Sequence, residues 1–142
     1  MDAMVGHRTD RYRRFGWASA RADDLVNYFP ARLSVLALVG VRPRGARRVW
    51  RAVRRDAPKH PSPNGGLIEA AFAGALDVQL GGVNTYDGGV EDRGALGDGR
   101  AVDSSDIARS IRLRRHTTAA LCLLIAACWG RELILADRRA SE

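Results

Sequence analysis

The placing of the apolar residues restricts this chain more than any other feature. Outside its glycine-rich centre the longest apolar stretches are Leu33–Val41 and Thr117–Gly130, nine and fourteen residues long, and each abuts a cluster of arginines. A helix that spans a bilayer needs about 20 mostly apolar residues. Leu33–Val41 is too short to span alone, and Pro30 and Arg32 interrupt what precedes it. Arg42, Arg44, Arg47, Arg48, Arg51, Arg54 and Arg55 follow it with no acid among them, and Arg8, Arg11, Arg13, Arg14 and Arg21 lie before it. Arginines beside an apolar segment mark the cytoplasmic side. Basic flanks on both sides predict a segment that lies in the interface or re-enters, with both ends cytoplasmic. A buried helix of a soluble domain is the alternative.

The second stretch continues through Arg131 and Glu132 into Leu133–Ala136, so that 117–136 makes 20 residues, about 30 Å of helix. It is a candidate span: Arg131 lies near one end and can snorkel, while Arg112, Arg114 and Arg115 hold the other end inside. Segment 42–116 would then face the cytoplasm.

Hydrophobic residues make up 46% of the chain, which excludes a disordered tail. The formal charge is +7, and Lys59 is the sole lysine. Such a balance suits nucleic acid, an anionic membrane surface or phosphorylated substrates. Cys122 and Cys128 stand six apart in an apolar run, without a Cys-x-x-Cys or Cys/His cluster. They read as small buried hydrophobes rather than zinc ligands.

Along the chain, 1–41 is a basic segment followed by the short apolar one, with a helix predicted over Ala18–Tyr28. Segment 42–103 reads as a loop rich in glycine and proline around one short helix, Leu67–Leu76, with Asn64 as its N-cap. The seven glycines between Gly81 and Gly99 leave little room for regular structure. Segment 104–137 is a helix that contains the candidate span. Asp103-Ser104-Ser105-Asp106 has the composition of its start.

The stretch His60-Pro61-Ser62-Pro63-Asn64-Gly65-Gly66 carries the most chemical information. Its prolines fix the backbone, Ser62 and Asn64 supply hydrogen-bonding groups, and His60 exchanges protons near neutral pH. Gly65 and Gly66 precede a helix, whose free N–H groups bind phosphate, and Lys59 adds a point charge. A proline-stiffened turn is the plain alternative. Glu69, in the first turn, either complements the helix dipole or acts as a base or metal ligand. Asn84, Tyr86, Asp87, Asp98 and Arg100 stand among glycines, which bring side chains close to a ligand. Asp87 and Asp98 suit Mg²⁺ or Asx-turns, and Arg100 suits a carboxylate or phosphate.

Four stretches together resemble the CobD/CbiB family of cobalamin biosynthesis. They are MVGHRTDRYRRFGWASARADDLVNYFPARLSVL from Met4, APKHPSPNGGLIEAAFAGAL from Ala57, LGGVNTYDGG from Leu80, and LGDGR followed by DIARSIRL from Leu96. Their order and spacing match as well as their content. The resemblance implies a mainly α fold: membrane-associated helices with a long cytoplasmic loop, forming the C-terminal part of a multi-pass protein of the inner (plasma) membrane. It implies an adenosylcobinamide-phosphate synthase, an amide-forming ligase that joins aminopropanol phosphate to a carboxylate of cobyric acid, a corrinoid, using ATP and Mg²⁺. It implies partners in the lipid bilayer, in other enzymes of the pathway and in a missing N-terminal half, and no nucleic acid.

By the same resemblance His60, Ser62 and Asn64 are expected at the catalytic centre. Lys59, Gly65, Gly66, Asn84, Tyr86 and Arg100 would contact phosphate or substrate, with Asp98 on the metal. Arg21, Asp24, Asn27 and Arg32 would line the same site from the apolar segment. Asp77 departs from the pattern, standing where a small residue is expected. Because the resemblance covers only the C-terminal part of the family, these residues alone are expected to carry the family's loops without its complete activity. The contrasting reading is a basic, membrane-tethered module for anionic lipid or nucleic acid, resting on Arg42–Arg55.

Overall fold

The computed structural model describes residues 13–86 and 89–140. Five helices and a small sheet follow one another as α1 (Arg13–Val26), α2 (Tyr28–Val41), α3 (Ala46–Asp56), α4 (Pro63–Leu76), β1 (Val78–Tyr86), β2 (Gly89–Leu96), β3 (Arg100–Ala101) and α5 (Ser105–Ala140). Single 3₁₀ turns, Pro43–Gly45 and Ala57–Lys59, lead into and out of α3. The fold is thus mainly α, as expected, but segment 42–103 is not a loop around one helix. It holds two helices and an antiparallel hairpin.

The arginine run folds because its apolar residues recur at helical spacing. Val49, Ala52, Val53 and Asp56 lie on one face of α3 and are buried, while Arg47, Arg48, Arg51, Arg54 and Arg55 are exposed. α4 begins at Pro63, four residues before the expected start. Proline suits this first position because it needs no N–H partner there. The N-cap is Ser62 rather than Asn64: its hydroxyl accepts from the Gly65 N–H at 3.1 Å. Asp77 ends α4 in the left-handed conformation, φ 60° and ψ 50°, which a small residue reaches at less cost. A small residue is therefore favoured at this position, and the Asp77 found there lies 3.7 Å from Arg48.

α4 is central, packing against α2, α3 and β1, while α5 lies across α2 and α4. The core joins Val35 and Leu38 of α2, Val49 and Ala52 of α3, Ala70, Ala71 and Leu76 of α4, Val78 of β1 and Leu113 of α5. Small alanines let the helices approach closely and compensate for the scarcity of aromatics. In the sheet, ordered β2-β1-β3, β1 pairs antiparallel with β2 and, through Val78 and Gln79, parallel with Arg100 and Ala101 of β3.

Among the described residues no single helix is long and apolar enough to cross a membrane. α1 and α2, from Gly16, pass that test only together, as a pair bent by 42° at Asn27. The expected helix over 104–137 exists as α5, whereas its stretch 117–136 is not established as a span. Cys122 and Cys128 are exposed on α5, not buried as read from the sequence. Leu123, Leu124, Ile125 and Trp129 are exposed beside them; the apolar run lies along α5 beyond Thr117, where the helix leaves the core.

Candidate functional site

A cleft of about 460 Å³ opens where the α1–α2 bend meets the start of α4. Asp23, Asn27 and Ser34 line one wall, and Ser62, Asn64 and Glu69 the other. Asn64 fixes the two walls to each other. It is buried, its Nδ2 donates to the Asp24 carbonyl at 2.8 Å, and its Oδ1 accepts from Arg32 at 3.4 Å. Arg32 also donates to the Tyr28 carbonyl and lies over the Tyr28 ring, 3.3 Å from its centroid. Asp24 therefore takes part through its backbone, and Arg32 as a strut.

His60 turns back on its own loop. Its Nδ1 lies 3.1 Å from both the Ser62 nitrogen and the Ser62 carbonyl oxygen, and Nε2 faces Glu69 Oε1 at 3.8 Å. Gly66 is required by this turn: a Cβ there would stand 2.5 Å from His60 Cβ and 2.7 Å from the Ala57 carbonyl oxygen. The glycine N–H groups do not await a phosphate. Gly65 donates to the Ser62 hydroxyl and Gly66 to the Ser62 carbonyl. This corrects the expected anion cradle, because the Ser62 cap has taken the donors that would form it. The side chains of Asp23 and Glu69 make the cleft acidic, and no arginine or lysine lines it.

The other predicted residues lie elsewhere. Arg21 stacks on Trp17 at 5.8 Å. Asn84 and Tyr86 take backbone positions in β1 opposite Glu91 and Gly89; their side chains, and Asp87, lie outside the described residues. Lys59 and Asp98 belong to a second centre around Asp56, whose side chain is fully buried. Asp56 accepts from Arg55 at 2.8 and 2.7 Å, from Lys59 at 2.7 Å and from the Gly97 N–H at 2.9 Å. Hydrogen bonds from Arg55, against the penalty of burial, hold its carboxyl far below the usual range. Arg55 reaches on to Asp98 at 3.0 Å. One oxygen of Asp98 is thus engaged by Arg55, and no group of three potential metal ligands occurs among the described residues.

Arg100 is likewise engaged within the chain, although its side chain is exposed. It grips both oxygens of buried Asp106 at 2.8 Å, and Arg109 joins Asp106 to the Leu76 carbonyl at the end of α4. Bonds from Arg100, then the Asp103 N–H, then Arg109, lower the Asp106 carboxyl to about 2. A depressed carboxylate stabilises the fold fully above its unfolded value, about 4, and loses that contribution as pH falls through the folded one. Asp106→Asn is therefore expected to flatten the dependence of stability on pH between about 4 and 2. Denaturant melts followed by circular dichroism across this window check it. Neither Asp56 nor Asp106 was singled out as a buried centre from the sequence; the cues were an acid at the end of the arginine-rich α3 and an acid in the first turn of α5.

The family model described as CobD/Cbib protein matches residues 1–114. This chain belongs to the CobD/CbiB family. It is 48% identical over 130 residues to cobalamin biosynthesis protein CobD of Mycobacterium tuberculosis, covering 87% of this chain and 41% of that protein. It is 47% identical over 135 residues to CobD of Rhodobacter capsulatus, covering 92% and 42%. Against CbiB of Salmonella arizonae it is 48% identical over 137 residues, covering 91% and 42%. The chain thus spans about two fifths of the length of these CobD and CbiB relatives. No solved structure matches it. The HPSPNGG turn, the α1–α2 bend and the Asp56 and Asp106 centres all lie within the CobD/CbiB match.

Proposed function

We propose that the chain contributes part of the active region of a cobalamin-biosynthesis enzyme that joins aminopropanol phosphate to a carboxylate of adenosylcobyric acid. The observation that carries this reading is the cleft at the α1–α2 bend, built from segments that carry the family resemblance. A carboxylate needs activation before an amine attacks it. Phosphoryl transfer from ATP yields an acyl phosphate and ADP. The amine then forms the C–N bond, the C–O bond to phosphate breaks, and the ammonium's extra protons pass to a base.

The acidic cleft suits the amine end of the aminoalcohol. Asp23 and Glu69 hold the ammonium, and Glu69 receives its proton. His60, held by Ser62 through Nδ1, turns Nε2 toward Glu69. Ser62 and Asn64 shape the wall rather than supply a nucleophile. Association with the bilayer, with 42–116 on the cytoplasmic side, belongs to the same proposal. It is supported by the bent α1–α2 pair and by exposed Leu25, Phe29, Leu33 and Leu36.

In a full-length family protein carrying this segment, Glu69→Gln is expected to lower kcat roughly 100-fold and Asn64→Ala roughly tenfold. Steady-state formation of the cobinamide phosphate checks both. Full turnover in both variants would remove the cleft from the reaction.

A further inference from the structure

The acidic cleft leaves a phosphorylated ligand without a partner for its charge, and the opposite sign is concentrated on α3. Arg47, Arg51, Arg54 and Arg55 surround Trp50 in a second cleft of about 690 Å³. Positions 47, 51 and 54 follow at i, i+4 and i+7, so three guanidiniums form one stripe. Arg55 is engaged by Asp56 and Asp98. Arg47, Arg51 and Arg54 have no acidic partner among the described residues. Trp50 is 39% exposed and lies among them.

We propose that this cleft binds a soluble nucleoside polyphosphate, with the phosphates on Arg47, Arg51 and Arg54 and the flat base against the Trp50 indole. Guanidiniums recognise phosphate oxygens through paired N–H donors. An indole face offers a stacking platform to any base and a cation–π partner to the arginines. Three unengaged guanidiniums match the charge of a polyphosphate tail, whereas an 11-residue helix with a single indole offers little to a bilayer or an extended nucleic acid. The inference rests on shape and charge, and it deepens the proposed reaction by placing its phosphate donor.

The test is a binding measurement on the whole chain in detergent, in a Trp17→Phe/Trp129→Phe background, reading quenching of Trp50 by ATP. Saturable quenching is expected, weakened roughly tenfold or more in Arg47→Gln/Arg51→Gln/Arg54→Gln. These side chains are solvent-exposed, so the triple variant is expected to keep its helical circular dichroism. Trp50→Leu, read by calorimetry, is expected to weaken binding as well. No quenching by ATP, or quenching indifferent to the three substitutions, overturns the proposal. So does preferential, arginine-dependent binding to phosphatidylglycerol vesicles or to duplex DNA, which would make the face a lipid or nucleic-acid surface instead. ATP binding here with no turnover in a full-length family protein carrying this segment would sink the proposed reaction and leave this site standing; turnover in that protein with no ATP binding at α3 would do the reverse.

Discussion

Asp56→Ala is expected to destabilise the fold by about 2–4 kcal/mol, from the lost charge-assisted hydrogen bonds and the orphaned Gly97 N–H, because Arg55 and Lys59 themselves remain half-exposed. The carboxylate is fully buried and accepts from Arg55, Lys59 and the Gly97 N–H. Its removal leaves the Gly97 N–H without its acceptor and two cations close together at the end of α3. Asp56→Asn keeps the volume but replaces an acceptor-only group with one that also presents donors to Arg55 and Lys59, so it is expected to recover only part of the loss. Urea unfolding followed by far-ultraviolet circular dichroism measures both. A loss under about 1 kcal/mol for Asp56→Ala would show that solvent replaces the carboxylate without cost.

The second large effect is expected at the other end of the same contact. Gly97 has φ +86°, and a Cβ there would lie 2.3 Å from the Val78 carbonyl oxygen and 2.8 Å from Ala73 Cβ. Alanine would suffer both the left-handed conformation and a collision with backbone. Gly97→Ala is expected to cost about 2–5 kcal/mol, the sum of those contributions. Because the substitution displaces the N–H that Asp56 accepts, the double variant with Asp56→Ala should lose less than the two single losses together. Additive losses in the same urea experiment would mean that the contact carries no energy of its own.

Much of the site was legible because its residues are consecutive. His60 through Gly66 announces a stiff turn before a helix, and the turn and helix are there. What the turn does was not legible, since it depends on where each N–H goes. Ser62 caps the helix, leaving Asn64 to bridge to the α1–α2 bend, a partner 40 residues away. Asp23, in the cleft wall, and Glu69, across from it, gain meaning only through that bridge.

The arginine run was read for its charge, which obscured the period of Val49, Ala52, Val53 and Asp56 beneath it. The hairpin was hidden by its glycines. They weaken any strand signal, yet the β1–β2 register shifts between Gly81 and Val83, an irregularity that glycine permits. Arg100 looked like a ligand contact because a lone cation among glycines has no visible partner in a sequence, and Lys59 because it stands just before the proline–glycine turn. The fold supplies one for each, in Asp106 and Asp56.

The knot at Asp56 also decides how the small sheet comes loose. A two-stranded ribbon at the edge of a helical body ordinarily peels away at little cost. Here β2 cannot leave without drawing the Gly97 N–H off a carboxylate wedged between two cations, and β3 is moored to α5 through Arg100 and Asp106. The base of the hairpin should open only when the helices do. Its amides should then exchange with solvent at the pace of the whole body rather than of a surface flap.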